Sequence, residues 1–250
     1  MSLESEAAPR PGERVFLSAE WRDLLMLNYA VDPGLLRDFV PQGTQLDSFA
    51  EKTYVSLVGF RFLRTRLFGL LPVPFHTNFD EVNLRFYVRR PAGDENRRGV
   101  VFVSEVVPKR AVALLARLAY GENYRRHPMG HRIKWSATQN SAEYVWRVGR
   151  AWCKLYVRAS GEAALPPEGS LEQFITEHYW GYAAQPSGGS VEYRVSHVPW
   201  RVWSSTDAGF EGDAIAAYGP QFGRVFQRSP DSAFVAEGSP VVVFTGKRFS

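Results

Sequence analysis

The sequence predicts a single β-rich domain of the α+β class, and three observations carry the prediction. Several stretches alternate apolar and polar residues with the period of two that turns one face of a strand toward a core. Those stretches are rich in β-branched and aromatic residues, and 14% of the chain is aromatic, as suits a pleated surface. Turn-forming Gly, Pro, Asn and Asp break them at short intervals. With 250 residues, 45% of them hydrophobic, the chain can bury a core large enough for one sheet-built domain.

Residues 1–13, rich in Glu, Ala, Pro and Arg, show no apolar period and read as a loose tail, leaving 14–250 as the domain. Asp32-Pro33 reads as a helix start with Asp as N-cap and Pro in the first turn. Pro41 ends the short amphipathic helix that Leu35, Leu36, Phe39 and Val40 would form. Strands are expected at 54–62 and 81–88, with a more continuously apolar, central strand at 99–104. The stretch 66–75 is apolar but broken by Gly69, Pro72 and Pro74, and is expected to be a buried connection. From Lys109 to Tyr120 the period changes, with Ala111, Leu114, Leu115 and Leu118 on one helical stripe before Gly121. Segments 132–139, 142–148 and 151–158 suit an antiparallel meander. Ser170 and Gln173 form a capping box for a helix running toward His178. Strand character returns at 191–197, 201–205 and 240–244. The sum is about ten strands and three or four peripheral helices, with no internal repeat.

Composition narrows the function classes. Basic residues exceed acidic ones 30 to 26, but no run of five or six like charges occurs, so nucleic acid is not an expected partner. The single cysteine, Cys153, excludes an internal disulfide and a CxxC zinc site. The first residues lack the order of a signal peptide, and no run of 18 apolar residues occurs, so a cytoplasmic protein without a membrane span is expected. His127 and His131 are four apart, but Pro128 and Gly130 oppose the helix that would align them, and no metal is expected. Neither a GxSxG elbow nor a phosphate-binding glycine loop follows a strand. No organic cofactor is expected, and an oligomer is compatible with the chain.

Two polar clusters remain as candidate chemistry. In the first, strand alternation places Val82, Leu84, Phe86 and Val88 on one face and Glu81, Asn83, Arg85, Tyr87 and Arg89 on the other, with His76 and Asn78 just upstream. Taken alone, this is a half-exposed strand whose polar face meets water. In a closed barrel the same face would line the lumen, where a Glu and an Arg could tune a carboxylate or anchor a ligand. The second cluster, Tyr124, Arg125, Arg126 and His127, brings a phenol, two permanent cations and an imidazole to one short loop. It suits a carboxylate, to which arginine offers paired donors, or cations at a helix C-terminus. His178 and His197, each beside aromatics, read as packed core residues.

The segments Trp21-Arg-Asp-Leu-Leu-Met-Leu-Asn-Tyr-Ala30, Asp32-Pro33, Phe79-Asp-Glu-Val-Asn-Leu-Arg-Phe-Tyr-Val88, Gly99-Val-Val-Phe-Val-Ser104 and His197-Val-Pro-Trp200 together resemble the YqjF-like family of uncharacterised proteins, over nearly the whole domain. That family is related to acetoacetate decarboxylase, so the resemblance implies a mainly antiparallel sheet closed into a barrel or cone around an interior pocket. The decarboxylases form a Schiff base through the first lysine of a Pro-Lys-Lys motif, seven residues after an arginine. Arg117 fits that arginine, but the two lysine slots hold Tyr124 and Arg125, and the early-strand arginine slot holds Ala30. The resemblance therefore implies the pocket without the Schiff-base amine. Two readings follow. The first is a protein binding a small polar, carboxylate- or carbonyl-containing molecule through His76, Asn78, Asn83, Arg85, Tyr87 and Arg125. The second is a lyase, hydratase or isomerase with Glu81 as base and Tyr124 as acid.

Overall fold

A computed structural model describes residues 9–72, 77–108, 124–136 and 140–249. Its strands are β1 (Val15–Val31), β2 (Gln45–Leu46), β3 (Thr53–Leu67), β4 (Leu71–Pro72), β5 (Phe79–Ala92), β6 (Glu95–Val107), β7 (Tyr124–Arg126) and β8 (Met129–Lys134). They continue with β9 (Asn140–Val148), β10 (Ala151–Ala159), β11 (Trp180–Ala184), β12 (Ser190–Ser196), β13 (Val202–Glu211), β14 (Ser232–Phe244) and β15 (Lys247–Phe249). Among the described residues two α-helices accompany them, α1 (Leu171–Thr176) and α2 (Ala214–Gly223).

The strands hydrogen-bond in the order β15-β12-β11-β6-β5-β3-β1-β14-β13-β10-β9-β8, and β12 also pairs with β14, so the first part of the path returns on itself as a ring. Pairing is antiparallel except where β6 meets β11 and β7. The path beyond β14 forms a second layer that lies over one face of β1, β3 and β5. Leu25, Leu27, Val55, Leu57, Leu84 and Phe86 there meet Tyr144, Trp146 and Leu155 of β9 and β10. A Cβ at Gly59 would stand 2.6 Å from the Tyr144 ring, so the layers approach this closely only because position 59 is glycine. Each such buried side chain contributes roughly 1.5–3 kcal/mol. The opposite face of the same strands meets Phe174 and Ile175 of α1 and Trp200. Strands β1, β3 and β5 are thus covered on both sides.

Several expectations change form. Asp32 does cap a helical turn, its carboxylate accepting from the Gly34 amide at 2.7 Å, but Pro33–Phe39 winds as a 310 helix. Ser170 caps α1 as the capping box requires, although the helix is only six residues long. Glu13, read as tail, is held by a buried ion pair with Arg194 at 2.7 Å. The stretch from residue 66 is not a buried connection: Phe68 and Gly69 adopt positive φ to make a tight turn, β4 folds back on β3, and Phe68, Leu70 and Leu71 are exposed at the tip. The helical stripe from Lys109 to Tyr120 lies outside the described residues. No helix among the described residues is long and apolar enough to cross a membrane.

Candidate functional site

The face of β5 that alternation assigned to polar residues is buried. Glu81 and Asn83 are each 2% exposed, Arg85 8% and Tyr87 0%, against 0% for Val82, Leu84, Phe86 and Val88 on the other face. Water does not cover the polar side; α1 and the neighbouring strands do.

Adjacent strands extend this polar surface by register. Asn28 of β1 stands opposite Ser56 of β3, which stands opposite Arg85 of β5. Ser56 Oγ lies 2.6 Å from both Asn28 Oδ1 and Tyr87 OH, so three buried polar residues form one chain. On β6, Phe102 faces Arg85 and Ser104 faces Leu84, so Val103 is an extra residue, a bulge. The bulge reverses the alternation beyond it and brings Glu105 opposite Asn83, onto the polar face. Glu105 is 1% exposed, and Asn83 Nδ2 donates to Glu81 Oε1 at 3.1 Å. Two carboxylates and an amide therefore share one patch.

Arg85 adds a buried cation to this face. One terminal nitrogen donates to the Ile175 carbonyl at 3.2 Å, the guanidinium lies 5.6 Å from the Tyr87 ring centre, and Nε has no partner among the described residues. Among the described residues it forms no ion pair, whereas Arg90, Arg97, Arg98 and Arg194 all do. A buried cation without a carboxylate is costly, which makes this position receptive to an anion.

The surrounding histidines do not compete for that role. His178 packs its ring 4.6 Å from Tyr87, with Nε2 3.6 Å from Asp47 Oδ2, while Arg98 Nε donates to the same oxygen at 2.7 Å. Burial lowers the His178 pKa to about 4, aided by Arg98 and Arg85 and opposed by Asp47. His197 stacks on Trp200 at 4.2 Å and is likewise lowered to about 4, chiefly by burial and also by Arg85. Both rings are neutral near pH 7. Burial opposes ionisation of Asp47, but its bonds to His178 and Arg98 outweigh that and hold its pKa at about 2.

Of the residues selected from sequence, the structure brings together Glu81, Asn83, Arg85 and Tyr87. Tyr124 opens β7 in register with Glu105, beside that patch. Arg125 is exposed and pairs in register with Val106, a residue of the opposite core, so it stands apart from Arg85. Asn78 is exposed and accepts from the Arg64 amide of β3 at 2.9 Å. His76 lies outside the described residues. His127 and His131 turn to different partners, the Arg147 carbonyl and Asp80, and no cluster among the described residues could hold a metal ion. Lys134 is exposed on β8. Sequence reasoning missed Asn28, Ser56 and Glu105. The first two are lone polar residues in apolar runs, and Glu105 turns inward only through the bulge.

Comparison with known proteins agrees with this architecture. The model of the DUF2071 family, "uncharacterized conserved protein", matches residues 18–240. The uncharacterized protein YqjF of Bacillus subtilis (strain 168) is 27% identical over 187 residues, 72% of each chain. Among solved structures, the enduracididine biosynthesis enzyme MppR with HEPES buffer bound superposes with a TM-score of 0.69 at 15% identity, covering 98% of this chain and 90% of that one. MppR has also been solved complexed with pyruvate. An acetoacetate decarboxylase-like enzyme from Sphingomonas wittichii RW1 gives 0.66 at 14% identity, covering 94% and 93%. Family match and shared fold together identify the chain as a member of the DUF2071, YqjF-like family with an acetoacetate decarboxylase-like fold.

Proposed function

We propose that this protein binds a small anionic molecule, carboxylate- or carbonyl-containing, within the strand ring, which acts as a barrel or cone around the polar face of β5. The observation that carries the reading is Arg85, buried without an ion-pair partner among the described residues. Arg85 holds the anionic group, Asn83 and the Tyr87 ring flank it, and the neighbouring histidines are neutral near pH 7. MppR, which shares the fold, has been solved with pyruvate, in keeping with a ligand of this class. Schiff-base decarboxylation is not part of the reading, because the resemblance to the decarboxylases puts Tyr124 in the slot of the reactive lysine. A buried free thiol fits a cytoplasmic setting.

Native mass spectrometry of the purified protein tests this reading. A retained small anion in the wild type that is absent from Arg85→Met supports it; wild type and variant both carrying the same adduct would contradict it.

One observation favours a second reading, an enzyme of lyase, hydratase or isomerase type. Glu81 is fixed by Asn83 beside Glu105, and Tyr124 pairs in register with Glu105, an arrangement suited to proton transfer. Glu81→Gln would then abolish turnover of a bound oxo or hydroxy acid while preserving binding, and a fully active Gln variant removes Glu81 as the base.

A further inference from the structure

The chain of hydrogen bonds through Asn28, Ser56 and Tyr87 has a direction. Ser56 has one proton and gives it to Asn28 Oδ1 at 2.6 Å. The equally short contact between Ser56 Oγ and Tyr87 OH must then be filled by the phenol proton. Tyr87 is thereby spent as a donor and faces a ligand only as an acceptor. At the other end of the chain, Asn28 Nδ2 is fully buried and has no hydrogen-bond partner among the described residues. Ser232 of β14 stands opposite Asn28 in register, and its Oγ is buried and without a partner too. Two buried polar groups at paired positions on neighbouring strands thus have no hydrogen-bond partner among the described residues, which a folded protein tolerates only at a cost of roughly 1–3 kcal/mol per group.

We propose that Asn28 Nδ2 and Ser232 Oγ form an acceptor-reading subsite that binds an oxygen of the same ligand whose anionic group rests on Arg85. Asn28 and Arg85 lie two strands apart at paired positions, about 10 Å between backbones. The Arg85 side chain shortens that span to the reach of a molecule of a few carbons. The role of the relay is orientation: Ser56, driven by Tyr87, fixes the Asn28 amide with its oxygen inward and its N–H groups outward. The subsite selects a carbonyl or other acceptor oxygen at this point and rejects a methylene, because a methylene would leave both donors stranded. Asn28 and Ser232 are thus specificity residues, and Ser56 is a positioning residue.

The inference rests on the anion reading of Arg85, and one experiment separates the two. Butyrate, 2-oxobutyrate and 3-oxobutyrate share a chain and a carboxylate and differ by one oxygen. Calorimetric titration of the wild-type protein is expected to show one oxo acid binding at least about tenfold tighter than butyrate. Asn28→Asp keeps the acceptor that Ser56 needs but removes the donors, and should bring that preference to within about twofold. Ser232→Ala should reduce it partially, and Ser56→Ala provides a second route should Asn28→Asp fold poorly, since it frees the amide to turn. If all three acids bind the wild type equally, or if the preference survives in both Asn28→Asp and Ser56→Ala, the subsite is overturned while the Arg85 reading stands. If none binds, the Arg85 reading falls and takes the subsite with it.

Discussion

Along β5, Val82, Leu84, Phe86 and Val88 press into the core shared with the second sheet layer, while Glu81, Asn83, Arg85 and Tyr87 are buried nearly as deeply one residue away. Burial alone does not separate the two faces; what each side chain gains by burial does. On the apolar face, every atom removed from water finds a close-packed neighbour. On the polar face, Arg85 Nε, Asn83 Oδ1 and Asn28 Nδ2 are removed from water without replacement partners. The first face holds the fold together, and the second forgoes stability in exchange for a site prepared for a polar guest.

The comparison is sharpest in matched substitutions. Phe86→Ala should cost about 3–5 kcal/mol in denaturant unfolding, the range for emptying a packed aromatic site. Asn83→Leu, of similar burial, loses only its bond to Glu81 and should cost less, about 1–3 kcal/mol. Equal losses would erase the distinction between the faces.

Acid should act mainly on the polar side. Above pH 6.5 His178 and His197 are neutral whether the chain is folded or unfolded. Below it, the unfolded rings take protons that the folded rings refuse down to about 4. Stability is therefore expected to fall between pH 6.5 and 4 by roughly 1 kcal/mol per pH unit for each ring. Asp47, held at about 2 against an ordinary 3.8, adds its loss only as the pH drops through that lower interval. Thermal melts across pH 4–7 measure the slope, and His178→Gln should flatten it. A flat wild-type profile would mean that the rings titrate as if exposed.

The smallest effect is expected at Arg125, whose guanidinium is exposed and whose register partner belongs to the opposite core. Arg125→Ala should change stability by less than about 0.5 kcal/mol and leave butyrate binding unaltered. A large loss of binding would return Arg125 to the site.

Much of the sheet was legible because β-branched alternation survives in the chain: β5, β9, β10 and β12 lie close to where the pattern put them. What alternation could not reveal was whether the polar face met water or protein, since that depends on strands and a helix distant in sequence. Asn28 and Ser56 became visible only when β1 and β3 paired in register. Glu105 was hidden by the bulge at Val103, which breaks the parity on which face assignment relies. The two arginines exchanged prominence for the same reason: Arg85 sits on a strand covered from both sides, and Arg125 on a short edge segment.

The central claim is that Arg85 is kept for a ligand and not for the fold, and Arg85→Met measures both halves at once. The account predicts that the ligand-free variant melts at the wild-type temperature or above it, because a buried cation that forms no ion pair among the described residues is replaced by an apolar side chain of similar length. The same variant should bind oxobutyrate at least about tenfold more weakly. A variant that is strongly destabilised yet binds the anion like the wild type would contradict it.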